Sequence, residues 1–155
     1  MVKEFVLAWE RNKENLESYL KTHRQEEYDS YEKLLKLLFD LVINYEAPSA
    51  RECYCTDDIT VINQGDCQGI LIFVLHKNDD YPDMEDWVYT HVYYGSCSGC
   101  DTLMHINDDC SDCDKLPTEN QVKDYMTLCL HLLQRCIQMK DGLSCLMLTE
   151  EREET

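Results

Sequence analysis

The sequence predicts an α+β fold: two N-terminal helices, an antiparallel three- to four-stranded sheet with a four-cysteine zinc loop, and a C-terminal helix packed on the sheet. Apolar residues recur at helical spacing near both ends of the chain, whereas short β-branched and aromatic runs between turn residues fill the middle. A chain of 155 residues with 44% apolar content can bury one core, so we expect a single domain over residues 1–155.

The helical part is predicted in residues 1–46. The first helix covers residues 2–24, because apolar side chains return there at helical intervals between charged neighbours. The second helix follows Asp29 and Ser30, whose short polar side chains suit a helix N-terminus, and it ends near Tyr45. The apolar and aromatic side chains of both helices are interpreted as core.

The sheet and the zinc loop are predicted in residues 51–116. The strands are expected at Ile59–Ile62, Gly69–His76 and Trp87–Tyr94, with a short fourth at Thr102–Ile106. A tight turn over Asn63–Asp66, with positive φ at Gly65, is expected to join the first two strands. Lys77–Asp86 is too long for a two-residue turn, so it is predicted to project as an acidic loop.

The C-terminal helix is predicted in residues 117–141. Thr118 and Gln121 are spaced for a capping box, and the apolar stripe that follows is wide enough to cover one face of a sheet. Leu143–Leu148 is expected to pack as a short extended piece. Residues 149–155 are expected to form a frayed, solvated, acidic tail.

Two Cys-x2-Cys pairs give the strongest chemical signal: Cys97 with Cys100, and Cys110 with Cys113 nine residues further on. Two residues between cysteines let both sulfurs converge on one ion from a tight turn, and two such turns supply the four thiolates of a structural zinc site. The predicted cofactor is therefore Zn. A closed shell of four sulfurs leaves no position for water, so this zinc holds structure and does no chemistry.

The cysteines leave other interpretations open. Disulfides and free thiols are two of them, and a site of three cysteines with His105 is a third. Cys53, Cys55 and Cys67 are candidates for a second metal site, although one intervening residue is poor geometry for two ligands of one ion. The charged N-terminus does not read as a secretory signal, so a reducing, cytoplasmic location favours metal over disulfides.

The chain is strongly acidic, with 14 basic residues, 31 acidic ones and a net charge of −17. Between Arg51 and Pro117 only three basic residues face fourteen acidic ones. Binding phosphate requires a lysine and arginine footprint, so direct contact with nucleic acid or an anionic membrane is disfavoured. No apolar run is long enough for a membrane span.

These charges predict a partner-binding surface that attracts a basic protein. It comprises the carboxylates of the acidic loop and of the zinc loop: Asp79, Asp80, Asp83, Glu85, Asp86, Asp101, Asp108, Asp109, Asp112 and Asp114. Complementary charge speeds encounter and excludes anionic partners. The alternatives are a small metal-dependent hydrolase acting on nucleotides or nucleic acid through His76, His91 and His105, and a structural or assembly factor whose acidity maintains solubility.

Four stretches resemble a group of small uncharacterised bacteriophage proteins. They are GDCQG (Gly65–Gly69), ILIFVLH (Ile70–His76), YGSCSGCDTL (Tyr94–Leu103) and QVKDYMTLCLHLLQ (Gln121–Gln134). The resemblance implies expression in the cytoplasm of an infected bacterium, and it brings no known active site. We therefore expect a non-enzymatic phage protein that inhibits a basic host protein, such as a nucleic-acid-handling defence or transcription factor, by occupying phosphate positions.

Overall fold

The computed structural model describes residues 2–107 and 115–139, and it confirms an α+β fold. Helices lie on one side of a four-stranded antiparallel sheet whose strands are neighbours in chain order. The predictions for Leu143–Leu148 and for residues 149–155 lie outside the described residues. No helix within the described ranges is long and apolar enough to cross a membrane.

The two N-terminal helices form where the apolar spacing predicts them. Helix α1 covers Lys3–Thr22 and buries one face, including Phe5, Trp9 and Leu16. A 3-10 turn leads to α2, Tyr31–Leu38, whose first turn is capped by Ser30: its hydroxyl oxygen accepts a hydrogen bond from the backbone N–H of Lys33 at 3.2 Å. Satisfying an otherwise unpaired N–H in this way stabilises a helix start by about 1 kcal/mol.

The second helix continues past α2 in an irregular form. Phe39–Ile43 makes a π-helical turn, and Asn44–Glu46 follows as a 3-10 turn, so the helical backbone reaches the predicted end near Tyr45. The side-chain amides of Asn12 and Asn15 on α1 donate to carbonyl oxygens of the π-helical turn, at 3.1 and 3.2 Å. A π turn shifts backbone hydrogen bonds, and these amides supply partners for its carbonyls.

Strands β2 and β3 have the bounds that the sequence predicts, Gly69–His76 and Trp87–Tyr94. Strand β1 covers Thr60–Gly65, so the predicted turn over residues 63–66 is wrong. Gly65 pairs with Gly69 as the last residues of the ladder, and no described glycine adopts positive φ. An added Cβ at Gly65 would collide with the backbone of Gln68 and Gly69, and one at Gly69 would collide with the backbone of Gln64 and Gly65. Both positions therefore require glycine because the two backbones approach closely.

The predicted short strand at Thr102–Ile106 is wrong, because these residues form helix α3, Thr102–Asn107. The carboxylate of Asp101 accepts a hydrogen bond from the backbone N–H of Met104 at 3.0 Å, which caps the helix start. Leu103 and Ile106, three residues apart, are the buried side chains of this helix. The apolar residues of this short run, Leu103, Met104 and Ile106, do not distinguish a helix from a strand, and the Asp101 cap favours the helix.

Helix α4 covers Glu119–Gln134 and begins with the predicted capping box between Thr118 and Gln121. It ends earlier than expected: Ile137–Gln138 forms the short strand β4, which pairs with Val88 and Tyr89 at the sheet edge. The apolar stripe continues through both elements, so periodicity alone does not locate the boundary. Pairing with β3 favours the extended form after the helix.

The two faces of the sheet have different surroundings. On the inner face, which packs on the helices, Phe73, Leu75, Val88 and Val92 are buried and belong to the core. Thr90 also lies there, and its hydroxyl donates to the backbone oxygen of Leu132 on α4 at 2.6 Å. The register places the alternate residues on the opposite side, which we call the outer face: Thr60, Ile62, Gln64, Ile70, Ile72, Val74, His76, Trp87, Tyr89, His91, Tyr93 and Ile137.

Candidate functional site

The first Cys-x2-Cys pair lies in a tight turn directly after β3. The backbone N–H groups of Cys100 and Asp101 both donate to the carbonyl oxygen of Cys97, at 3.1 and 3.0 Å. The two sulfurs are 3.0 Å apart, and both side chains are exposed. The turn therefore brings the two thiols to one point at the surface. A hydrogen bond from the Cys97 thiol lowers the pKa of Cys100, which favours the thiolate.

Gly95 determines where the Cys100 side chain lies. A Cβ added at Gly95 would lie 2.8 Å from the Cys100 Cβ, a distance that real Cβ contacts do not reach. At Gly99 an added Cβ would meet only the Cys97 sulfur at 3.8 Å, an ordinary contact. Of the two glycines of the turn, only Gly95 is therefore required by close packing.

The pair suits a soft metal ion. Two sulfurs bound to one tetrahedral zinc at about 2.3 Å are about 3.8 Å apart, so Cys97 and Cys100 reach such a geometry by small side-chain rotations. The other two predicted ligands, Cys110 and Cys113, lie outside the described residues. Within residues 2–107 and 115–139 no group of three or more histidines, cysteines or acidic residues is placed to hold a metal. His105, on α3, thus does not complete a site with the described pair.

The structure does not assemble the histidines of the alternative hydrolase site. His76 pairs with Trp87, whereas His91 pairs with Ile72, so the two histidines are four residues apart along the sheet, about 13 Å. His76 has one nearby carboxylate, that of Asp58, at 3.4 Å. Burial, followed in importance by the charge of Arg135, lowers the pKa of His91, so its ring is neutral at neutral pH.

The candidate second metal site is also not assembled. Cys53 and Cys55 lie beside the end of β2, where the backbone N–H of Cys55 donates to the oxygen of His76 at 2.8 Å. Cys67 lies in the turn before β2. The length of an eight-residue strand, about 23 Å, separates Cys67 from the other two.

Asp101 is a structural residue, which corrects its assignment to the partner-binding surface. Its side chain is buried, with 6% of the residue exposed, and it joins three elements. One carboxylate oxygen accepts from the Tyr31 hydroxyl at 2.7 Å and from the N–H of Met104, and the other accepts from the N–H of Gly95 at 3.0 Å. Burial raises the pKa of Tyr31 above its usual range, so this hydroxyl remains a donor. Asp101 thus fixes the cysteine turn against α2 and α3.

The acidic loop between β2 and β3 is held firmly at its base. The backbone N–H of Lys77 donates to the oxygen of Asp86 at 3.0 Å, and that of Asn78 donates to the oxygen of Cys53 at 2.8 Å. Within the loop, Asp83 and Asp86 form the capping box of a 3-10 turn over Met84–Asp86. These contacts give the loop a defined backbone path without regular strand pairing.

Several of the predicted partner-binding carboxylates already have local partners. The Arg51 guanidinium lies 2.8 Å from Asp79 and lowers the pKa of that carboxyl, and the ammonium of Lys77 lies 4.0 Å from Asp86. These residues therefore anchor the loop as well as contributing charge. Asp80 and Asp83 remain exposed towards the tip.

The tip of the acidic loop presents two large apolar side chains to solvent. Tyr81 is 89% exposed and Met84 is 53% exposed, and both are flanked by acidic residues. Neither residue is among those predicted from the sequence to be functional. The sequence pattern that could have indicated them is a tyrosine and a methionine within an acidic loop. No helix or strand is predicted there that would bury these side chains.

Charge is concentrated around this loop. Seven carboxylates lie on it or beside its base: Glu52, Asp58, Asp79, Asp80, Asp83, Glu85 and Asp86. The cations that face them are Arg51 and Lys77. The local potential is therefore negative even after the ion pairs are formed, and it surrounds the exposed tyrosine.

The two acidic segments do not form one continuous surface. The acidic loop precedes β3 and the cysteine turn follows it, so they lie at opposite ends of a strand about 23 Å long. Asp108, Asp109, Asp112 and Asp114 lie outside the described residues. Among the described residues, the partner-binding carboxylates that remain exposed are Asp80, Asp83 and Glu85 of the acidic loop.

Comparison of the chain with protein-family models, curated proteins and solved structures finds no match.

Proposed function

We propose that the protein is a non-enzymatic binder whose acidic loop docks on a basic protein of the infected bacterium and inhibits it. The observation that carries this proposal is the exposed Tyr81 at the tip of a loop with a fixed base and a ring of carboxylates. The inhibited protein would be of the class that normally grips nucleic acid, such as a defence nuclease or a transcription factor. Its phosphate-binding cations would meet the carboxylates instead.

Charge and apolar burial have separate roles in the proposed binding. Carboxylates steer a basic partner towards the loop and exclude anionic competitors. Tyrosine is among the residues that most often dominate interface energies, because it buries a large apolar area with little loss of side-chain entropy. Since backbone and capping hydrogen bonds already order the loop, binding loses less conformational entropy than with a flexible loop.

The proposal includes one structural zinc ion, held by Cys97 and Cys100 together with Cys110 and Cys113. The convergence of the first two sulfurs supports it, and so does the packing of Cys100 on Gly95. The ion would link the chain that follows α3 to the turn that follows β3, and it would not contact the acidic loop. We expect one zinc per chain, measured by elemental analysis of protein purified without added metal.

The test is a pull-down of basic proteins from host lysate, followed by affinity measurement with the purified partner at low and moderate salt. We measure two variants. One is a double variant that combines Asp80→Asn and Asp83→Asn, and the other is the single variant Tyr81→Ala. Asparagine retains an acceptor oxygen, so the capping role of Asp83 is preserved. Each variant is expected to weaken binding about tenfold, because a central aromatic or a steering charge is lost.

A matched control removes the same amount of charge elsewhere. The double variant Glu14→Gln with Asp124→Asn changes two exposed carboxylates on α1 and α4, and it is expected to bind like the unaltered protein. Binding that survives an increase in salt, or that responds equally to both double variants, would overturn the proposal. The acidity would then serve solubility only.

A further inference from the structure

The outer face of the sheet is free of carboxylates in a chain that contains 31 of them. Its twelve residues comprise five aliphatic and three aromatic side chains, two histidines, a threonine and a glutamine. Charged groups approach it at the rim, where the Asp58 carboxylate lies 3.4 Å from His76 and the Arg135 guanidinium donates to the backbone oxygen of His91 at 3.5 Å. Its own twelve side chains carry no charge when both histidines are neutral.

The outer face is apolar but is not part of the core. Val74 is buried at 8% exposure, but no outer-face residue belongs to the core cluster that contains Phe73, Leu75, Val88 and Val92 on the inner face. Tyr93 is 60% exposed, Ile62 is 40% exposed and Ile137 is 37% exposed. An antiparallel sheet with one solvated face normally carries polar residues there, so a row of isoleucine, valine, tyrosine and tryptophan indicates a surface that becomes covered.

The size of the face matches a modest interface. Each residue of a sheet occupies about 16 Å², so the strands present about 400 Å² in projection on this side. Protruding side chains and rim residues raise the accessible area above that value. Two such surfaces would bury about 1,000 Å² in total, which is near the lower end of the areas of specific interfaces.

Charge favours a second copy of this chain as the occupant. Two chains of net charge −17 repel each other wherever their carboxylates meet. On the described surface the outer face avoids such contacts, because it offers no carboxylate to bury. A basic partner, by contrast, is steered towards the acidic loop and gains no ion pair on this face. Burial lowers the pKa of His91, so dimerisation buries no charge there at neutral pH.

We infer that the outer face is the interface of a homodimer in which two sheets pack face to face. Sheets packed in this way lie about 10 Å apart and interdigitate the side chains of their facing surfaces. Tyr93, Trp87 and Ile72 would lie in the contact, and the acidic loops would remain at its rim. The inferred contact contains none of the acidic-loop residues, so it can be tested separately from the proposed function.

The test measures mass in solution over a broad micromolar range by sedimentation or light scattering, at low and at moderate salt. We expect a concentration-dependent dimer whose affinity stays the same or rises with salt, because salt screens the repulsion between the chains. Binding of a basic partner through the acidic loop has the opposite salt dependence. The two proposals can therefore fail separately.

Paired tyrosine variants locate the interface. Tyr93→Asp places a carboxylate on the outer face and is expected to weaken the dimer at least tenfold, whereas Tyr81→Asp changes the loop tip and is expected to leave it intact. Ile62→Asp provides a second outer-face variant on the edge strand. Circular dichroism and melting temperature confirm that each variant is folded.

Three results would overturn the inference. The first is a monomer at all concentrations and both salt levels. The second is a dimer that dissociates as salt rises, because its contacts would then be electrostatic. The third is a dimer that tolerates the folded outer-face variants or is weakened equally by Tyr81→Asp.

Discussion

At the scale of single residues, the cysteine turn depends on two neighbours that carry no sulfur. Gly95 leaves the space that the Cys100 side chain occupies, and Asp101 ties the turn to Tyr31 on α2 and to the start of α3. The pair of thiols is therefore pre-organised by packing and hydrogen bonds before any ion binds. Such supporting contacts commonly set metal affinity.

Substitution Gly95→Ala tests this pre-organisation. The new methyl group would displace Cys100, so the affinity for zinc is expected to fall at least about tenfold. Competition with a chromophoric chelator measures the change. Gly99→Ala is the control, because its methyl group meets only an ordinary contact with Cys97. Equal affinities for the two variants would show that the position of Cys100 does not matter.

The sequence predicts the convergence of Cys97 and Cys100 from their spacing alone, since a two-residue interval restricts the turn. The role of Asp101 is not evident from the sequence, because a carboxylate in an acidic stretch looks like surface charge. Its burial depends on Tyr31, which lies seventy residues away along the chain. Long-range hydrogen bonds of this kind leave no local pattern.

At the scale of elements, α4 combines a local signal with tertiary anchoring. The capping box of Thr118 and Gln121 satisfies the helix start, and the Gln121 amide also donates to the oxygen of Ile106 on α3 at 3.1 Å. Near its other end the helix accepts the hydroxyl hydrogen bond of Thr90 from β3. One helix therefore positions both α3 and the sheet.

Substitution Thr118→Ala removes the cap and is expected to lower the free energy of unfolding by about 1 kcal/mol. Urea denaturation at constant pH measures the change. Thr127→Ala is the control, because the Thr127 hydroxyl donates to the oxygen of Lys123 within the exposed middle of the helix and satisfies no helix terminus. A loss for Thr127→Ala as large as that for Thr118→Ala would contradict the capping role.

The sequence best predicts elements that have a regular apolar periodicity and clear capping or turn residues at their ends. Both central strands have their predicted bounds, and the cap of α4 is where the sequence places it. Besides the turn that follows β1, the errors fall on the short segments α3 and β4, where two to six residues fit either period. There the outcome depends on a cap and on pairing with β3, which are tertiary contacts.

At the scale of the whole molecule, net charge and fold act against each other. The chain carries −17, and cations such as Arg51 and Lys36 each pair with an acidic residue from elsewhere in the sequence. The carboxylates that remain repel one another in the folded state more than in the expanded chain. Surface ion pairs offset little of this repulsion.

Moderate salt is therefore expected to raise the free energy of unfolding relative to low salt. Screening weakens repulsion among many carboxylates, and it also weakens the few attractive pairs. Urea denaturation in sodium chloride and in tetramethylammonium chloride at equal ionic strength measures the effect, and both salts should act alike. A decrease of stability with salt would mean that the ion pairs outweigh the repulsion.

The acidity of the middle region is evident from the sequence, but its distribution in space is not. Both acidic segments border β3, which predicts one surface, yet a strand places its two ends far apart. Exposed Tyr81 and the apolar outer face are also missed. The apolar residues of the strands predict that the sheet is covered, but they do not show that the helices cover only its inner face.

The hydrogen bonds between α1 and the π-helical turn restrict how these segments align. Asn12 and Asn15 each donate to one carbonyl of the turn. If α1 slid by one helical repeat, about 5.4 Å, both amides would lose these acceptors, and the buried Asn12 amide would be left unpaired at a cost of about 1–3 kcal/mol. Leucines alone would tolerate that slip, because many offsets bury similar area. The two asparagines thus select a single alignment, and replacing both with leucine would permit several.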